Sequence, residues 1–214
     1  MRGIALTLAV LLALPSAAQA ALPNRPGLYA PRDTCAADPG ARAFVAGLRT
    51  VQQRRDLAAL TALADPEITV DFGGEAGPQA LAEKFTADPG QWDQLGETLA
   101  LGCKLEGDKL TLPWFFTLDF GNTDMVTTML AAGPAVALRQ TDGARSKVLL
   151  RLNWQLVEVI GDWVPDRPTV KVRVPGTRLS GHVRTIDLRS QLDQRVVAVN
   201  RDGAWKLTAL VEGD

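Results

Sequence analysis

The sequence predicts an α+β protein: a helical amino-terminal part, then a small β-barrel, then a closing β-hairpin. Two observations carry this. Apolar residues recur at helical spacing through the first half of the chain, and from residue 136 the period changes to two. Gly, Asp and Pro then cut the second half into short β-rich runs, the signature of a small barrel or sandwich.

Residues 1–20 read as a signal peptide. Arg2 supplies the positive start, residues 4–14 an apolar stretch, and Ala18-Gln19-Ala20 a small-residue cleavage site. The apolar stretch is short of the ~20 residues that a spanning helix needs, and no later segment is long and apolar enough to span. The expected product is a periplasmic or secreted chain with no membrane span. The 214-residue chain has a net charge of −1. Charge is uneven: residues 21–110 hold 9 basic and 13 acidic side chains, residues 165–206 hold 9 basic and 4 acidic. Such separation steers an anionic partner toward one end. Export argues against nucleic acid as that partner. Cys35 and Cys103 are the two cysteines, and an even count in an oxidising compartment predicts a disulfide between them.

Residues 21–40, with Pro23, Pro26, Pro31 and Pro39, read as an extended leader. Residues 41–133 are expected to form an α+β domain. Phe44, Leu48 and Val51 share one helical face; Leu57, Leu60 and Leu63 share another, with a joint near Arg55 and Asp56 as the second cap. Pro66 is expected to end that helix. Ile68, Val70 and Phe72 alternate as a half-buried strand. Pro78 opens a helix carrying Leu81 and Phe85, and Trp92, Leu95 and Leu99 mark another. Leu110, Leu112 and Trp114-Phe115-Phe116 predict a second strand, with residues 124–132 a short helix or connection.

Residues 134–190 are expected to be the barrel. Its runs at 136–138, 148–152, 156–160 and 170–174 are separated by Asp142-Gly143, Asn153, Gly161-Asp162 and Pro175-Gly176. Residues 191–214 form a hairpin around Asp202-Gly203, which needs a surface to pack on.

Two resemblances follow from these residues. The segments RRDLAAL, ADPEITVDFGG and GPQAL, with DGAWKLTAL near the end, are similar to the cystatin-like fold of nuclear transport factor 2 and SnoaL-type proteins. That resemblance implies that the final hairpin completes the α+β domain. Val136-Ala-Leu138-Arg139, Ser146-Lys-Val-Leu149, Val157-Glu-Val-Ile160, Val170-Lys-Val172, Gly181-His-Val183 and Asp187-Leu-Arg189 resemble the bacterial SH3-like domain. It implies a non-catalytic binding or interaction module, with peptidoglycan peptide or an envelope protein as partner. The chain departs from that pattern at Thr169 and His182, where the family favours aromatics that line its shallow groove.

His182 is the sole histidine, which excludes His-pair metal sites. There is no GxSxG, P-loop or GxGxxG, so no catalytic residue, metal or cofactor is expected. The carboxylates Asp65, Glu67, Asp71 and Glu75 crowd one segment. A base among them, in a small-molecule or enzymatic cavity of the α+β domain, is the alternative reading. The candidate ligand-binding residues are Arg173, Arg184, His182, Trp154 and Trp163: arginine for carboxylates, tryptophan for stacking. Arg178 and Arg189 complete the basic set of the expected barrel.

Overall fold

The Asp38 carboxylate accepts from the Ala41 amide at 2.7 Å, and Pro39 follows at the first helical position, so helix α1 (Pro39–Arg54) starts where its orphan amides are met. Its Phe44, Val45 and Leu48 are buried on one face. Arg55 turns into the left-handed region (φ 51°), and Asp56 caps α2 (Leu57–Leu63) by accepting from Ala59 at 3.0 Å. Helices α3 (Gly77–Ala87) and α4 (Gln91–Ala100) bury Leu81 and Phe85, and Trp92, Leu95 and Leu99, respectively. This computed structural model describes residues 24–118, 120–121, 123–164 and 166–213; the expected signal peptide lies outside them.

The protein is α+β, with two sheets. The first has six strands: β1 (Arg32–Asp33), β2 (Ala64–Thr69), β3 (Gly102–Glu106), β4 (Lys109–Leu112), β12 (Arg195–Arg201) and β13 (Ala204–Val211), in the order β1-β3-β4-β12-β13-β2. The hairpin β12–β13 turns at Asp202-Gly203, both at positive φ as a two-residue hairpin loop demands. It lies inside the sheet, β12 against β4 and β13 against β2. Leu110, Leu112, Val196, Ala198, Leu207 and Leu210 share one buried core with residues of all four helices. Cys35 and Cys103 form the disulfide, Cα–Cα 5.7 Å, which holds the β1 segment against β3. Gly102 is required there: a side chain would meet the Arg32 carbonyl at 2.1 Å.

The second sheet has seven strands: β5 (Thr128–Ala131), β6 (Val136–Arg139), β7 (Val148–Leu152), β8 (Gln155–Val159), β9 (Thr169–Arg173), β10 (Ser180–Arg184) and β11 (Leu188–Ser190), in the order β11-β5-β8-β9-β10-β6-β7. Among the described residues, each of its strand pairs is antiparallel. All seven strands contribute to one apolar cluster, from Met129 and Leu138 to Val172, Val183 and Leu188. Side chains from both ends of a flat sheet cannot meet in one cluster, so the sheet curls around its own core. It does not close into a barrel, because its end strands β11 and β7 do not pair. The β11 end is shielded instead by the six-stranded half, through Arg189 and α4.

Several expectations are corrected. The segment expected as an extended leader is pinned at Cys35 and extended at β1, but it also carries a 3-10 helix at Cys35–Ala37 and the buried Tyr29. The second helix stops at Leu63, and Pro66 sits inside β2. Phe72, expected inward, is 54% exposed, since β2 ends at Thr69. Trp114–Thr117 is a 3-10 helix and not strand; β4 stops at Leu112, before Pro113. The segment at 124–132 contains strand β5, not a helix. All four β5 residues are buried: Met129 and Ala131 join the curled sheet's core, and Leu130 joins a third cluster with Tyr29, Trp114, Phe115 and Leu156.

Candidate functional site: a cationic groove on the second sheet

The turn before β6 brings Ala132, Pro134 and Ala135 to the surface as a floor of small side chains. Beside it the strands present Arg139, Arg151, His182 and Arg184, and together these line an open groove of about 700 Å³. The register explains the grouping. His182 lies opposite Arg139 across β10–β6, Arg184 opposite Thr169 across β10–β9, and Ala137 opposite Arg151 across β6–β7. Gly181 permits the close approach, since a side chain there would meet the Arg139 carbonyl at 2.4 Å. Both positions at which the chain departs from the SH3-like pattern, Thr169 and His182, line this groove.

The four side chains differ in how strongly they are held. Arg184 donates from Nε to Asp187 at 2.7 Å and from Nη2 to the other oxygen at 2.5 Å. Hydrogen bonding and charge from Asp187 push its pKa above the ordinary arginine value. Arg139 donates to the Ser146 carbonyl at 2.8 Å, and Arg151 reaches the Ala135 carbonyl at 3.4 Å. Among the described residues the His182 ring has no hydrogen-bond partner, so no hydrogen bond selects its tautomer.

Of the five candidate binding residues, His182 and Arg184 share the groove. Trp163 is half-buried against the curled sheet's core and lines a neighbouring cleft of about 590 Å³, together with Arg184, Arg189 and Asp193. Arg173 and Trp154 lie elsewhere. Arg173 donates from Nε to Glu158 at 2.9 Å, and Trp154 packs beside Tyr29, whose amide donates to its carbonyl at 3.3 Å. Arg189, placed by its sequence in the barrel's basic set, is buried and pairs with Glu97 and Asp193. The residues missed are Arg139 and Arg151. Their signal is a cation within an otherwise apolar β run.

The acidic segment is occupied locally. Buried Asp65 accepts from the Glu67 amide at 3.0 Å and pairs with Arg201 at 3.2 Å; Asp71 accepts from the Glu75 amide at 2.8 Å, closing the turn after β2.

No known family profile matches the chain, and no curated protein matches it. Among solved structures it is similar to a designed protein of NTF2 type, at 10% identity and a TM-score of 0.31, covering 81% of this chain and 96% of that one. A likeness this slight fixes neither fold family nor function.

Proposed function

We propose that the chain is an exported, non-catalytic binding protein, periplasmic or secreted after cleavage near Ala20. In this reading its second sheet is an SH3-like module, set between the strands of a cystatin-like domain, that holds a carboxylate-bearing cell-wall peptide. The carrying observation is the groove itself: Arg139, Arg151, Arg184 and His182 face one open channel over a floor of small side chains. Guanidinium groups grip carboxylates with two parallel hydrogen bonds. With Thr169 and His182 in place of larger aromatics, stacking contributes little and charge contributes most. An unpartnered His182 lacks the orienting third group that an active base requires. The alternative of a small-molecule site in the α+β half has only a smaller cleft of about 380 Å³ beside Thr111, Phe116 and Phe120, because Leu60, Leu81, Leu95, Leu110, Leu207 and Leu210, each wholly buried, fill the space between helices and sheet.

The test is calorimetric titration with purified wall stem peptides at rising salt. Binding is expected to be weak, and to weaken further as salt screens the exposed contacts over about 8–10 Å. Arg151→Gln and His182→Ala each reduce affinity by about tenfold, while Arg173→Gln, outside the groove, leaves it unchanged. Absence of binding at low salt, or an equal loss with Arg173→Gln, sinks the wall-peptide reading and leaves an envelope protein as the better partner.

A further inference from the structure

We propose that the free edge of β7 docks an extended, acidic segment of a partner polypeptide, which adds to the second sheet as a further strand. The proposal concerns the outer edge of the second sheet, which shares Arg151 with the groove, and stands whether or not the groove holds wall peptide.

Among the described residues β7 pairs with β6 alone and ends the sheet. Its residues Leu149, Leu150 and Arg151 are all exposed. Successive residues of a regular strand point to opposite faces, so the exposure of both Leu150 and Arg151, past the irregularity at Leu149, opens each face of β7 there to solvent. Apolar edges of this kind are usually covered, or broken by proline or inward charge, because their unpaired amides and carbonyls recruit other chains. The opposite edge, β11, is covered. At β7, Val148, Leu149 and Leu150 follow one another, and the one guard is a register shift in the β6–β7 ladder beside Leu149. That irregularity limits an incoming ladder to a few residues, so side chains must supply part of the affinity.

Charge selects the occupant. Residues 141–152 contain Arg145, Lys147 and Arg151 against the single acid Asp142. No ion pair neutralises these three cations among the described residues, whereas Arg173, Arg184 and Arg189 each have a carboxylate partner. Two copies of the chain joined edge to edge at β7 would bring six such cations together, and like charges across a strand pair are destabilising. An acidic segment with alternating apolar residues would neutralise them and cover Leu149 or Leu150. Strand addition draws affinity from main-chain hydrogen bonds and specificity from alternate side chains.

The experiment uses the full chain and three fluorescein-labelled decapeptides: one alternating Val and Glu, one alternating Val and Lys, and the Glu peptide methylated on alternate backbone nitrogens. By anisotropy the Glu peptide is expected to bind at least about tenfold more tightly than either of the others. Amide exchange should slow at residues 148–152. Arg145→Glu with Lys147→Glu, neither of which lines the groove, should reverse the Glu-over-Lys preference, whereas His182→Ala, within the groove, should leave that preference unchanged. No binding of the Glu peptide, equal binding of the Glu and Lys peptides, indifference to methylation, or protection confined to the residues around His182 overturns the proposal. So does slowed exchange at 148–152 in a peptide-free dimer, which would assign the edge to a second copy. Loss of stem-peptide binding alone touches only the groove.

Discussion

Arg189, on β11, donates from Nη1 to Glu97, on α4, at 2.9 Å, so one buried guanidinium joins the curled sheet to the helical half. Its Nε faces Asp193 at 3.3 Å, and a second nitrogen reaches the Thr98 hydroxyl at 3.5 Å. Thr98 donates in turn to the Gln194 carbonyl, and the Gln194 amide to Gln91. Removing the cation leaves Asp193 without its counter-charge in a desolvated place. Because Glu97 is 59% exposed on its side chain, the expected loss for Arg189→Ala is about 2 kcal/mol, below the full cost of breaking a buried pair. Arg189→Lys should recover only part of it, since an ammonium cannot reproduce the fork. Urea denaturation of both variants checks this, and an unchanged midpoint for Arg189→Ala would show that the contact does not hold the halves together.

Asp193 also predicts a pH dependence. Burial raises its pKa; Arg189 and the Ser190 amide pull it down but do not cancel the burial, and the negative charges of Glu212 and Glu97 add to the rise. The unfolded carboxyl ionises near about pH 4, the folded one higher. Between the two values the folded state keeps a proton that the unfolded state has lost. Stability therefore falls as pH rises through that window and levels off above it. Asp193→Asn removes the titration, so its melting temperature relative to the parent should climb across the same window. Parallel pH profiles for the two proteins would show that Asp193 does not titrate anomalously.

The disulfide closes a separation of 68 residues. In the chain-entropy account such a loop contributes up to about 4 kcal/mol. Reduction, or Cys103→Ser, should lower the melting temperature markedly. Mass spectrometry of the unreduced protein should find no alkylatable thiol, and a free pair in the native protein would contradict the bridge.

Leu210 and Leu207 lie on the last strand, wholly buried in the larger core. Truncating either to Ala should cost about 2–5 kcal/mol. Deleting residues 190–214 should abolish the cooperative melt of the helical half, because β4 and β2 would lose the strands between them. A truncated chain that kept its near-ultraviolet signal would contradict this.

Much of the helical half is legible from its residues. Asp38 and Asp56 are caps, Arg55 is the joint, and Leu81–Phe85 and Trp92–Leu95–Leu99 are inward stripes at helical spacing. The runs of the second sheet are legible through their alternation. Strand β5 was not, because it is buried on both faces: Thr128-Met129-Leu130-Ala131 has no polar alternate to reveal a period of two. Trp114-Phe115-Phe116 imitates a strand by composition, yet folds as a 3-10 turn whose rings pack with Tyr29. The groove was legible at His182 and Arg184. Arg173 and Arg189 look identical to them in sequence, and only the third dimension shows that Glu158 and Glu97 hold them. Arg145 and Lys147 stay unneutralised for the same reason, that no acid among the described residues reaches them.

The position of the hairpin has a consequence for timing. Lys206 donates to the Ala62 carbonyl across 144 residues of chain, and the strands that fill the centre of the first sheet are the last to be made. Until they arrive, β4 and β2 have no neighbours on their facing edges and the apolar faces of four helices have nothing complete to cover. The second sheet lies wholly between these segments and pairs only its own strands, so its formation draws the two ends of the chain together and shrinks the loop that remains to be closed. The amino-terminal half, synthesised earliest, therefore cannot complete its sheet until β12 and β13 exist, and a chain cut short before them leaves that core open on one side.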